Sequence, residues 1–168
     1  MKKNDLKEIH KLSKTKKIVL CHGVFDVLHS GHINYFEQAK KLGDILVVSV
    51  TSDKFVNKGP NRPINRLNER ILLLKNIKSV DYVLESNYMT AKNIITKIKP
   101  NFFCKGPDYN NKNSIDIKLN EEIATLKKYG GKFVTVKHQM KSSSKIIDKL
   151  KFENNESNIE IVKFIKLI

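Results

Sequence analysis

The sequence predicts an α/β domain built on an open parallel sheet with helices on both faces. Two observations predict it. Short apolar runs alternate with segments whose apolar residues recur every three or four positions. In addition, Ile45 to Val50 (ILVVSV) is β-branched and apolar on both faces, as in a strand covered on both sides.

The elements follow in order. Residues 4–13 read as an amphipathic helix with Leu6, Ile9 and Leu12 on one face. Ile18 to Cys21 is a buried strand closed by His22 and Gly23. A helix spans Gly31 to Leu42, with Ile33, Phe36 and Ala39 at helical spacing and Gly43 as its stop. After the strand at 45–50 comes a polar loop, Thr51 to Asn65, holding Gly59, Pro60 and Pro63. Leu67, Ile71, Leu74 and Ile77 mark the next helix, and Val80 to Leu84 the next strand. Ala91 to Ile98 is a helix stopped by Pro100, followed by a strand at Phe102 to Cys104 and a turn at Gly106-Pro107-Asp108. Leu119 to Tyr129 forms a helix ended by Gly130-Gly131, and Phe133 to Val136 a strand. Ser142-Ser143-Ser144 then caps a helix from Lys145 to Leu150.

At 168 residues the chain fits one domain with or without a tail. Residues 1–15 carry the first helix, 16–150 the sheet domain, and 151–158 (KFENNESN) have linker composition. The segment IEIVKFIKLI beyond it is too apolar for a free tail; it packs back or opens a second domain. No run reaches the roughly 20 apolar residues of a membrane span, and no apolar h-region follows Met1. Cys21 and Cys104 supply no disulfide framework or zinc spacing. A cytoplasmic protein is expected.

The net charge of +15 invites a nucleic-acid reading. It comes from 29 lysines spread over every segment, the pattern of solvated faces rather than of a basic stripe, so no specific nucleic acid is expected. The three arginines, Arg62, Arg66 and Arg70, fall within nine residues. In a lysine-rich chain that cluster suggests a planar, bidentate grip on phosphate or carboxylate.

Ligands of open parallel sheets bind beyond the carboxyl ends of the strands, where strand order reverses. Four loops converge there: Gly23 to His32, Thr51 to Arg62, Lys105 to Tyr109 and Lys137 to Ser144. In the first, His29 and His32 sit three apart at a helix start and share one face. A lone histidine there is more often a cap. Two, beside the orphan N–H groups of the helix, make an anion site, and Gly31 lets a ligand approach the backbone. Imidazole donors aimed at one point suit a phosphate gaining charge in a transition state. A zinc set of Cys21, His22, His29 and His32 competes; it requires His22 to fold onto its own following helix and leaves Gly31 unexplained.

GVFDVLHSGH resembles the GxFDxxHxGH signature of the cytidylyltransferase-like nucleotidyltransferases. GDILVVSVTSD, KGPNRPINRLNER, VDYVLES, KGPDY and SSSKII continue the resemblance from about residue 16 to 150. KGPDY with RPxN is closer to the family's heptose-1-phosphate adenylyltransferase branch than to its glycerol-3-phosphate cytidylyltransferase branch. The resemblance implies a five-stranded Rossmann-like sheet of HUP type in the order 3-2-1-4-5. It also implies a reaction: a substrate phosphate oxygen attacks the α-phosphate of ATP or CTP, and pyrophosphate leaves.

Carried over by motif, His29 and His32 would donate to the triphosphate, and Lys58 would close over the α-phosphate and the incoming phosphate. The nucleotide-binding set would be Gly23, Phe25, Gly31, Lys105, Asp108, Ser142, Ser143 and Ser144. Arg62 or Arg70 would hold the substrate phosphate, or Arg70, the neighbour of Glu69 in a helix, would be structural. Asp26 would organise its loop by accepting backbone N–H bonds, or orient the substrate. Asp108 would touch the ribose or acceptor, or merely stabilise its turn. Where some family members carry an arginine before the serine-rich motif, this chain has Lys137 and Lys141. The resemblance implies no protein metal site, magnesium bridging the nucleotide phosphates with few protein ligands, a homodimer as the usual assembly, and a sugar kinase fused to the chain or partnering it.

Two other readings compete. HxGH with KSSSK faintly resembles the paired signatures of class I aminoacyl-tRNA synthetases, but the chain has no room for an anticodon-binding domain. A non-catalytic nucleotide-binding module is the second, against which stand His29, Gly31, His32 and Lys58 together.

Overall fold

The computed structural model describes residues 3–106 and 117–136. The expected positions Asp108 and Ser142 to Ser144, the helix at 145–150 and everything from residue 151 onward lie outside the described residues. The five strands β1 (Ile18–Gly23), β2 (Ile45–Thr51), β3 (Tyr82–Ser86), β4 (Phe102–Lys105) and β5 (Lys132–Thr135) form one sheet. All its pairings are parallel, in the order β3-β2-β1-β4-β5, as expected. The chain leaves β1 for β2 on one side and returns to β4 on the other, so strand order reverses beside β1.

Two apolar layers cover the sheet, because alternate residues of each strand point to opposite faces. Val19 and Cys21 pack with Val48, Val50 and Cys104 under α2 (Ser30–Lys40) and α3 (Leu67–Lys75), through Phe36, Ala39 and Leu74. Ile18, Leu20, Val47 and Phe103 face the other way. They pack under α1 (Lys3–Leu12), α4 (Lys92–Ile98) and α5 (Ile117–Lys128), through Ile9, Ile95 and Leu126. This two-sided burial explains why β1 and β2 read as continuous apolar runs.

One strand begins later than its apolar pattern suggests. Val80, expected to open β3, instead closes a turn by donating its N–H to Ile77 O, while its side chain packs on the core. The carboxylate of Asp81 accepts the Leu46 N–H and the Lys40 ammonium, leading the chain into Tyr82. Gly131 is required where α5 turns into β5. A Cβ there would lie 2.4 Å from Leu126 Cδ1 and 2.5 Å from Pro100 O.

Candidate active site

β1 ends at the point where strand order reverses, and the turn after it delivers His29 and His32. His29 is the N-cap of α2, with extended backbone (φ −147°), and its carbonyl accepts the His32 N–H at 2.8 Å. The two half-buried imidazoles stack with centroids 4.0 Å apart and planes inclined by 28°. The edge of Phe25 supports His32 at 5.6 Å, and Phe25 packs on Phe36 at 5.1 Å. Phe25 adopts a left-handed backbone (φ 50°) to reach this place. Gly23 makes the room: a Cβ on it would stand 3.0 Å from the Phe25 ring. The conformation costs about 1–3 kcal/mol in a non-glycine residue, which ring burial in the core offsets. Gly31 is buried in the first turn of the helix. The result is a pair of imidazoles above a helix N-terminus, whose orphan N–H groups and dipole favour an anion.

The helix itself is anchored one turn later. The Tyr35 hydroxyl donates to the Cys104 carbonyl at 2.6 Å, joining α2 to β4. Cys21 and Cys104 are direct neighbours in the β1–β4 ladder and both fully buried, small residues of the core. Burial, reinforced by Cys104, pushes the Cys21 thiol up.

Asp26 ties the histidine turn to the connector between β2 and α3. Its buried carboxylate accepts the Ile64 N–H at 3.0 Å, the Asn65 N–H at 2.9 Å and the Arg62 Nε–H at 2.8 Å. Its own carbonyl accepts from the Asn65 amide. This is the loop-organising role considered for it, and Arg62 is drawn in beside it. Lys58 lies on the exposed part of the same connector.

Of the two readings of Arg70, the structure favours the structural one. The side chain is fully buried, and its guanidinium donates to Asn65 O, Val24 O and Asp53 Oδ1. A side chain with no exposed surface has no face to offer a substrate phosphate. It is an internal cross-link between the connector and the histidine turn. Lys105 also turns inward. Its ammonium lies 3.4 Å from Glu122 of α5 and over the Phe103 ring. Glu122 in turn accepts the Ala91 N–H at the start of α4.

The zinc set does not assemble. His22 points to the face opposite Cys21, toward Ser49 Oγ at 3.2 Å. Among the described residues, no three His, Cys, Asp or Glu side chains converge on a metal position. Burial first, and the Lys105 charge second, lower the His22 pKa from 6.5 to about 3. Between those values the unfolded chain binds a proton that the folded one refuses. Stability at this residue is therefore full above pH 6.5 and is lost as pH falls toward 3. The substitution His22→Asn is expected to flatten that part of the stability profile, which urea unfolding at pH 7 and pH 4 measures.

Sequence reasoning missed Asp53, Asn65, Glu122 and Tyr35. Each acts by a bond to a residue distant in sequence; Asp53 and Asn65 lie in the segments GDILVVSVTSD and KGPNRPINRLNER without a role assigned there, and Tyr35 and Glu122 lie in no quoted motif. Arg66 was noticed only as part of the arginine cluster.

Comparison with known proteins agrees with this geometry. Residues 20–150 match the model of the family described as cytidylyltransferase-like. The chain is 40% identical over 133 residues to the bifunctional protein HldE of Campylobacter concisus, covering 78% of this chain and 28% of that protein. It is 42% identical over 146 residues to that of Blochmanniella floridana, covering 85% and 29%. It thus spans less than a third of the length of these curated relatives. A solved structure, the lipopolysaccharide core biosynthesis protein of Thermoplasma volcanium, superposes with a TM-score of 0.59 at 30% identity, covering 76% of this chain and 99% of that one. With the HxGH turn, the reversed strand order and this match over most of its length, the chain belongs to the cytidylyltransferase-like family of nucleotidyltransferases.

Proposed function

We propose that this protein transfers a nucleoside monophosphate from ATP to the phosphate of a sugar 1-phosphate, heptose 1-phosphate being the class its relatives suggest. The observation that carries the reading is the stacked His29–His32 pair over the α2 N-terminus. A phosphate oxygen of the acceptor attacks the α-phosphorus in line. The bond from that phosphorus to the bridging oxygen breaks, and pyrophosphate departs with the electron pair. No covalent enzyme intermediate is formed, so positioning and charge stabilisation do the catalysis.

His29 and His32 donate to the triphosphate as negative charge shifts onto the leaving group. Lys58 brings a cation to the reacting phosphates, and Arg62 faces the acceptor. Gly23, through the ring of Phe25, and Gly31 keep the backbone close to the nucleotide. Asp108 and Ser142 to Ser144 complete the nucleotide-binding set. The first turn of α2 carries no acidic side chain, the hard oxygen ligand magnesium prefers. Magnesium would accordingly be held on the nucleotide's own phosphates, supplying charge neutralisation there when bound.

The wider assembly follows the same reading: a second catalytic unit, a sugar kinase, joined to or paired with this one, a homodimer, and a cytoplasmic setting. Among the described residues no helix is long and apolar enough to cross a membrane. The test is pyrophosphate release with ATP or CTP against heptose 1-phosphate, other sugar 1-phosphates and glycerol 3-phosphate. Release with ATP and a sugar 1-phosphate is expected. Release confined to CTP with glycerol 3-phosphate moves the protein to the other branch, and release with none of them removes the proposal.

A further inference from the structure

The connector between β2 and α3 borders an open cavity of about 430 Å³, lined by Asp53, Asn61, Arg62, Pro63, Ile64 and Arg66. Its charges do not cancel. Arg62 is paired with Asp26 and Asp53 with Arg70, while Arg66 makes no ion pair among the described residues. One cation is therefore left over on the wall. Arg62 adds a second signal. Its side chain is only 8% exposed, and its buried Nη2 has no hydrogen-bond partner among the described residues. A charged donor left in that state costs free energy until something accepts from it.

We propose that this cavity seats the anionic end of the acceptor, and that Arg66 is a specificity-determining residue selecting a phosphate monoester over the free sugar. The inference deepens the nucleotidyltransferase reading and rests on it for the identity of the ligand. Arg62 supplies the inner, pre-oriented fork, fixed at Nε by Asp26. Arg66, exposed at the start of α3, supplies the second guanidinium. Two forks on one phosphate give the bidentate contacts for which arginine is suited and lysine is not. Asn61, held in a left-handed conformation (φ 58°), and the 30%-exposed Asp53 carboxylate remain for sugar hydroxyls. The cavity shares the Asp26 network with the histidine turn, so an acceptor seated in it is tied to the side of the sheet where the α-phosphate would lie.

The experiment is calorimetric titration of the nucleotide-free protein with heptose 1-phosphate and with free heptose, repeated on Arg66→Ala and Arg66→Lys. In both variants the backbone N–H at 66 still donates to the Glu69 carboxylate, and a thermal melt confirms that each is folded. The wild type is expected to bind the phosphate and not the free sugar. Arg66→Ala is expected to bind it about tenfold more weakly, the loss of one charge-assisted contact, with partial recovery in Arg66→Lys. In turnover, the acceptor KM rises by a similar factor and the ATP KM does not. Equal affinity of Arg66→Ala and wild type, equal binding of free and phosphorylated sugar, or no binding by the wild type overturns the inference. Arg66-dependent binding without pyrophosphate release supports the cavity assignment and fails the proposed function instead.

Discussion

Replacing His29 with alanine is expected to lower kcat for pyrophosphate release by about 10²–10³-fold, the usual loss when one donor to a developing anion is removed. The protein should stay folded. His29 occupies the N-cap of α2, but its side chain makes no capping hydrogen bond, so alanine withdraws no cap from the helix. The stack with His32 is lost, yet His32 keeps its edge contact with Phe25. The informative pattern is a fall in kcat with the far-ultraviolet spectrum and melting temperature unchanged. A His29→Ala variant that turns over like the wild type removes the imidazole pair from the mechanism. One that fails to fold moves His29 from chemistry to structure.

The largest effect on stability is expected at Arg70. Arg70→Ala leaves the Asp53 carboxylate without its cation and strands two backbone carbonyls, Val24 O and Asn65 O, inside the protein. Asp53 is 30% exposed and can turn to water, so the cost lies in the carbonyls left unpaired, about 1–3 kcal/mol each, readable as a lowered urea midpoint at unchanged slope. Arg70→Lys keeps the charge but not the three-way fork, and should fall between wild type and alanine. Turnover drops with stability, because the same guanidinium holds the turn carrying Phe25 and Asp26 against the connector carrying Lys58. Wild-type stability in Arg70→Ala would show that the cross-link is not formed.

The contrast between these two residues shows how far the sequence could be read. His29 and His32 were legible because their chemistry is local: three positions on one helix start, with a glycine between. The sheet was legible because its strands are buried on both faces and so read as unbroken apolar runs. Arg70 was not. Its place beside Glu69 in a helix left a phosphate-binding and a structural role open, and what decides is a partner as far away in sequence as Val24. The Lys105–Glu122 pair was hidden for the same reason, since Glu122 arrives only when α5 folds back beside β4. The start of β3 slipped because Val80 is apolar and buried whether it sits in a strand or a turn. What decides is the Asp81 carboxylate reaching the N–H of Leu46 on the neighbouring strand. Local pattern reports composition and period, whereas ion pairs and side-chain-to-backbone bonds are made by the finished fold.

The hydroxyl of Tyr35, bonded to the Cys104 carbonyl, gives the two ends of the proposed reaction different tolerances to change. The imidazole pair rides on a helix fastened to the central strands, so moving it means moving the sheet. The acceptor's cavity is built instead on the connector between β2 and α3, held to that frame by Asp26 and Arg70. Rewriting the connector while keeping those two attachments and Lys58 would retarget the protein to another acceptor and leave the triphosphate end intact. A new substrate could thus be acquired within one short stretch of chain, without disturbing the machinery that cleaves the nucleotide.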